Sequence, residues 1–211
     1  FLPRSCGIAF YSKDYIDALK RQVKKDNKKL SIKVIAHTDA KKADYPIIDL
    51  KDRRWIDKVF NIIKKINPDI VHIQHEYGLY ETYEDENRKL LELIENLKKA
   101  KIPTIMTYHS IYETLNPSHK IFVKESLQKV SAGIFHEEYQ KKALKKNIGY
   151  IPNNIYVLPH GSETTFKPDK EKLRKEYNSE DKLVVGIAGI ADKRKGFRTM
   201  IRQWPKIVKK F

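Results

Sequence analysis

Apolar side chains at Ile8, Tyr11, Tyr15, Leu19 and Val23 recur at helical spacing, which predicts a first helix over residues 8–25. Ile32 to His37 is β-branched and predicts a strand, and Lys41 to Lys51 reads as a polar connection. Trp55, Val59, Ile62, Ile63 and Ile66 mark a strongly amphipathic second helix that stops at Asn67-Pro68. The pattern then repeats. Ile70 to Gln74 reads as a buried strand with a loop from His75, Leu90, Ile94 and Leu97 as a helix, and Pro103 to Tyr108 as a strand ending at His109. Val123, Leu127 and Val130 stripe a further helix, followed by a strand at Ala132 to Phe135, a helix at Tyr139 to Lys146 and a strand at Asn153 to Leu158. Strands alternating with helices imply parallel pairing, hence an α/β, doubly wound, Rossmann-like sheet.

From Thr164 to Asp181 the chain turns polar, with one short helix near Leu173, and reads as a linker. Leu183 to Gly189 predicts a new strand, and Phe197, Met200, Ile201, Trp204, Ile207, Val208 and Phe211 a new helix that Pro205 should kink or interrupt. The expected organisation is a domain over 1–166 and the start of a second over 167–211. The chain opens in a loop at Phe1, which suggests a strand ahead of it and a longer parent protein.

Composition narrows the function classes. A net charge of +16 and a pI near 9.6 favour an anionic partner, and lysines are densest between Lys20 and Lys33. A basic protein binding nucleic acid or an anionic surface without catalysis is therefore one reading. A single cysteine, Cys6, excludes an internal disulfide. No apolar run approaches the roughly 18 residues of a membrane span, and the N-terminus lacks a signal-peptide pattern, so a cytoplasmic location is expected.

Three stretches could carry chemistry. In Asp69 to Tyr80, read Asp-Ile-Val-His-Ile-Gln-His-Glu-Tyr-Gly-Leu-Tyr, His75 and Glu76 follow a strand and are expected to line a cleft at its carboxyl end. Gly7 opens the first helix, where free amides and the helix dipole favour an anion. Gly189-Ile190-Ala191-Asp192-Lys193-Arg194-Lys195-Gly196 places a basic cluster at the start of another helix, which suits a diphosphate, although it is neither a P-loop nor a dinucleotide fingerprint. His72 and His75 point to opposite faces of a strand and no His-Glu-x-x-His is present, so no metal is expected. His37, His119 and His136 read as ordinary surface or strand-end residues. The tyrosines at 77, 80 and 83 either pack or stack on sugars.

Four segments in order, Pro3 to Ala9, Val71 to Gly78, Leu158-Pro159-His160-Gly161 and Gly189 to Gly196 followed by Phe197, resemble the retaining GT-B glycosyltransferases of family 4. That resemblance implies an N-terminal Rossmann-like acceptor-side domain and the first β-α unit of a donor-binding domain. It implies a nucleotide-sugar donor, transfer with retention to a sugar, lipid-linked or small-molecule acceptor, and no metal or other cofactor. It makes nucleic acid an improbable partner, and allows peripheral contact with an anionic membrane at its inner face.

By position, His109 and Lys195 take the catalytic roles, the lysine neutralising the diphosphate. Gly7, Ile8, His160, Gly161, Gly189, Arg194 and Lys195 fall on the donor side, and Arg4, His75, Glu76 and Tyr77 on the acceptor side. Ile190 stands where the family often has an arginine, so Arg194 is the substitute expected for that part of the clamp. The glutamate pair that grips the nucleotide-sugar in the family would lie past Phe211, and the 211 residues alone are expected to be inactive.

Overall fold

The computed structural model describes residues 1–3, 6–80, 88–161, 167–187, 189 and 195–210. They fall into two compact units, Phe1–Gly161 and Ser162–Phe211.

The first unit begins with helix α1 (Gly7–Lys25), followed by β1 (Ile35–His37) and β2 (Tyr45–Ile48). These two strands pair in parallel, with an irregularity between Ala36 and His37. The stretch read as a polar connection therefore contains a strand, because Tyr45-Pro46-Ile47-Ile48 is short but apolar, and its Pro46 is tolerated on a strand with one neighbour. Asp44 anchors its start by accepting the Val34 amide at 2.9 Å and pairing with Lys33.

Helix α2 (Trp55–Ile66) follows and ends where Asn67 takes a left-handed conformation, φ 49°, ahead of Pro68. The chain then runs β3 (Val71–His75), α3 (Tyr77–Tyr80), α4 (Arg88–Lys99), β4 (Thr104–Tyr108), α5 (Pro117–Lys129), β5 (Ala132–Phe135), α6 (Glu138–Ile148) and β6 (Ile155–Val157). Strands β3 to β6 form a parallel sheet in chain order. Among the described residues this is an α/β architecture with parallel sheets of four and two strands, as the alternation predicted.

Strand alternation sorts the side chains into two faces. Ile73, His75, Met106, Tyr108, Phe135 and Ile155 turn to one face and are buried. There the apolar residues among them join Trp55, Ile56, Val59 and Ile63 of α2, Leu90, Leu93, Ile94 and Leu97 of α4, Phe122, Val123 and Leu127 of α5, and Leu144 of α6 in one core. The other face carries His72, Gln74 and Thr107, and α1 lies against it with the Tyr15 ring edge-on to His72 at 5.3 Å.

The second unit holds α7 (Lys170–Glu176), capped by the Asp169 carboxylate on the Lys172 amide, and α8 (Phe197–Val208). Arg174 donates to the carbonyls of Ser179, Glu180 and Lys182, fastening the turn after α7. Leu183 to Ile187, predicted as a strand, is not one. Its apolar side chains are exposed, and no strand of this unit is described that could pair with it. Helix α8 runs through Pro205 without interruption, since the proline costs a single hydrogen bond near its exposed end. No described residue of this unit is buried.

Candidate active site

The carboxyl ends of β4, β5 and β6 each deliver a histidine. His109 follows Tyr108, His136 follows Phe135, and His160 lies three residues past Val157. Because the strands are neighbours and parallel, the three imidazoles meet at one edge of the sheet. Ring centroids are 5.1 Å apart for His109 and His136, 3.8 Å for His136 and His160, and 6.1 Å for His109 and His160. Tyr11, one turn beyond Gly7 on α1, packs edge-on against all three rings at 4.8 to 5.1 Å.

Hydrogen bonds fix the orientation of two of these rings. His109 Nε2 donates to Gln74 Oε1 at 2.9 Å, while the Gln74 amide nitrogen donates to His72 Nε2, 3.3 Å away. His72 Nε2 also receives the Thr107 hydroxyl at 2.8 Å. His136 Nδ1 donates to the Leu158 carbonyl at 3.0 Å, which leaves its buried Nε2 with no hydrogen-bond partner among the described residues. Gln140 of α6 ties the strand ends together, accepting the amides of His136 and Glu137 and donating to the Tyr108 carbonyl.

Burial lowers the pKa of His72 and His109 to about 4, for His109 with help from its histidine neighbours, and it also lowers that of His136. All three are neutral at pH 7. His109 therefore keeps a lone pair on Nδ1, and His136 one on Nε2.

Next to this cluster, Glu76 accepts the Ser110 hydroxyl and, at 3.2 Å, the Tyr77 amide. Its carboxylate is half-buried at the end of β3. Gly7 and Ile8 open α1 behind Cys6, and no side chain caps that helix. Gly7 is exposed and a Cβ there would meet nothing within 4 Å. His160 and Gly161 are exposed and close the first unit. Gly189, φ 127°, and the exposed Lys195 belong to the second unit. Arg4 and Arg194 lie outside the described residues, as does Tyr83.

Two expectations for the acceptor side are corrected. His75 does not line a cleft: β3 extends one residue further than predicted, alternation turns the ring to the core face, and it is 0% exposed against Phe122, Tyr77 and Tyr108. Tyr77 is likewise buried, stacked on His119 at 3.8 Å, so it is packing and not an open sugar platform. On the opposite side, His136 is not an ordinary strand-end residue but the buried centre of the cluster. The signal was present in the sequence, since Tyr108-His109 and Phe135-His136 repeat an aromatic-histidine step at equivalent strand ends.

The sequence pattern of Glycosyltransferase Family 4 matches residues 25–166. This chain belongs to glycosyltransferase family 4. The match spans β1 to β6, so it covers the sheet and the three strand ends that carry the histidines. No curated protein matches the chain. Among the described residues of this family 4 chain, no helix is long and apolar enough to cross a membrane.

Proposed function

We propose that this family 4 chain transfers a sugar from a nucleotide-sugar donor to an acceptor hydroxyl with retention, and that the transfer needs no metal ion. The supporting observation is His109. It stands at the carboxyl edge of a parallel sheet, where such folds bind ligands, with its Nε2 proton committed to Gln74 and its Nδ1 lone pair left over. A neutral imidazole of this kind accepts a hydrogen bond from a donor-sugar hydroxyl and so positions the reacting carbon. With a pKa of about 4 it is not a general acid at pH 7.

As the bond to the diphosphate breaks, negative charge grows on the leaving oxygens. In the first unit the uncapped amides at Gly7 and Ile8 are the groups that stabilise it, and the family resemblance gives the same task in the second unit to Lys195 and to Arg194, which replaces the arginine the family often has at position 190. By the same resemblance His160 and Gly161 of the first unit and Gly189 of the second are donor-side residues, and Arg4 and Glu76 serve the acceptor. Glu76 is not a nucleophile in this scheme. The acceptor is a sugar, a lipid-linked sugar or a small molecule, and the lysines of α1 offer contact with an anionic bilayer that carries it.

The test is turnover in the full-length protein, using a panel of nucleotide-sugars. Lys195→Ala and His109→Ala should each lower the rate by about a hundredfold or more, whereas joint neutralisation of Lys24, Lys25, Lys28 and Lys29 should leave the rate with a soluble acceptor unchanged. The reverse pattern favours a basic binding protein without catalysis. Chelator should not slow the reaction, and the product anomer read by NMR should match the donor. The 211 residues alone should bind nucleotide-sugar weakly by calorimetry, because the described part of the second unit supplies two helices and no strand.

A further inference from the structure

Three imidazoles from three neighbouring strands are more than a donor contact requires. One ring nitrogen from each of His109, His136 and His160 lies within 4.8 Å of those of the other two. Two of the three tautomers are already set by groups outside the cluster, Gln74 for His109 and the Leu158 carbonyl for His136. Such outer partners orient metal-binding histidines and leave the opposite nitrogen to the ion. His136 is 5% exposed, and its remaining nitrogen has no hydrogen-bond partner among the described residues, an arrangement that burial penalises unless a ligand fills it.

We propose that His109, His136 and His160 form a binding site for a borderline divalent transition ion, with Zn²⁺ as the type, and that filling it withdraws His109 from the donor sugar. The second half of this statement rests on the reading of His109 given above, and the first half does not.

The donor set selects the ion. Three imidazole nitrogens and no carboxylate suit Zn²⁺, Ni²⁺ or Cu²⁺ and not Mg²⁺ or Ca²⁺, which take oxygen ligands. The imidazoles need not lose a proton first, since burial keeps His109 and His136 neutral. Zinc-nitrogen bonds of about 2.0 to 2.1 Å in a tetrahedron bring the nitrogens to about 3.4 Å from one another, so the cluster must tighten. His160 is the ring free to do this. It is exposed and has no hydrogen bond to its ring among the described residues, and it gives up its tilted ring contact with His136 as it turns. Water takes the fourth position.

Ion and sugar then compete for one lone pair, Nδ1 of His109. The consequence is inhibition by zinc of an enzyme whose chemistry needs no metal, reversed by chelation.

The experiment is a Zn²⁺ titration of the 211-residue chain against a chromophoric chelator, with Co²⁺ absorption as a report of coordination. One ion per chain is expected. His160→Ala should weaken it by at least about tenfold without moving the metal-free melting curve, and Gln74→Leu by about tenfold through His109. No saturable binding, unaltered affinity in His160→Ala, or loss of the site in Cys6→Ser would each overturn the assignment.

In the full-length protein, Zn²⁺ should inhibit competitively with nucleotide-sugar, and the residual activity of His160→Ala should resist the same Zn²⁺ concentration. Stoichiometric binding without inhibition removes the second half of the proposal alone. Absence of any transfer activity counts against the proposed function and leaves the binding result readable.

Discussion

Gln74 sits between His72 and His109 and bonds both, its carbonyl to one ring and its amide nitrogen to the other. The consequence for His72 is measurable. Its pKa is held at about 4 against an ordinary 6.5, by burial under Tyr15 and beside Thr107. The unfolded chain therefore binds this proton at a higher pH than the folded one. The stabilisation is complete above pH 6.5 and is lost as pH falls from 6.5 towards 4, about 2 to 3 kcal/mol for this group. Denaturant titrations at pH 7.5 and pH 4.5 should show that loss in the native protein and a smaller one in His72→Gln.

At this scale the sequence revealed that His72 and His75 point to opposite faces, but it placed the buried His75 in a cleft. The strand was read as ending at Gln74, and one further extended residue turns His75 from solvent into the core. Neighbourhood between strands was not legible at all. His109, His136 and His160 meet only because β4, β5 and β6 are adjacent, a fact of pairing that no local pattern carries.

Among the elements, β5 holds the described glycine with the least room for a side chain. Gly133 faces the core, and a Cβ built there lies 2.8 Å from Leu127 Cδ2 and 3.4 Å from Tyr108 Cε2. Leu127 and Tyr108 are themselves buried, so they cannot step aside freely. Gly133→Ala should cost about 1 to 3 kcal/mol, read as a lower denaturation midpoint with an unchanged slope. Helix α2 matched its sequence-based boundaries, because its apolar stripe is continuous and Asn67-Pro68 is an unambiguous stop. Strand β2 was missed because a proline and flanking charges mask a four-residue apolar step. The strand expected at Leu183 failed for the opposite reason: the β-branched pattern is there, but a strand needs a partner, and none is described in its unit.

On the scale of the whole molecule, the two units differ in kind. Among the described residues, 1–161 contain all of the buried core, whereas those of 162–211 bury nothing and leave Leu183, Val184, Ile201 and Val208 more than half exposed. Residues 1–161 expressed alone should melt cooperatively near the temperature of the full chain, and residues 162–211 alone should show no cooperative transition by circular dichroism. Retention of the full melting enthalpy by the larger piece is the deciding measurement.

Strands β3 to β6 lie side by side in the order in which they occur in the chain. During synthesis each new strand therefore emerges next to a partner that has already left the ribosome, with its covering helix behind it. This sheet can be assembled vectorially from its N-terminal side, and once Phe135 has cleared the ribosome β3, β4 and β5 can take their final pairing before His160 has emerged to join the other two histidines.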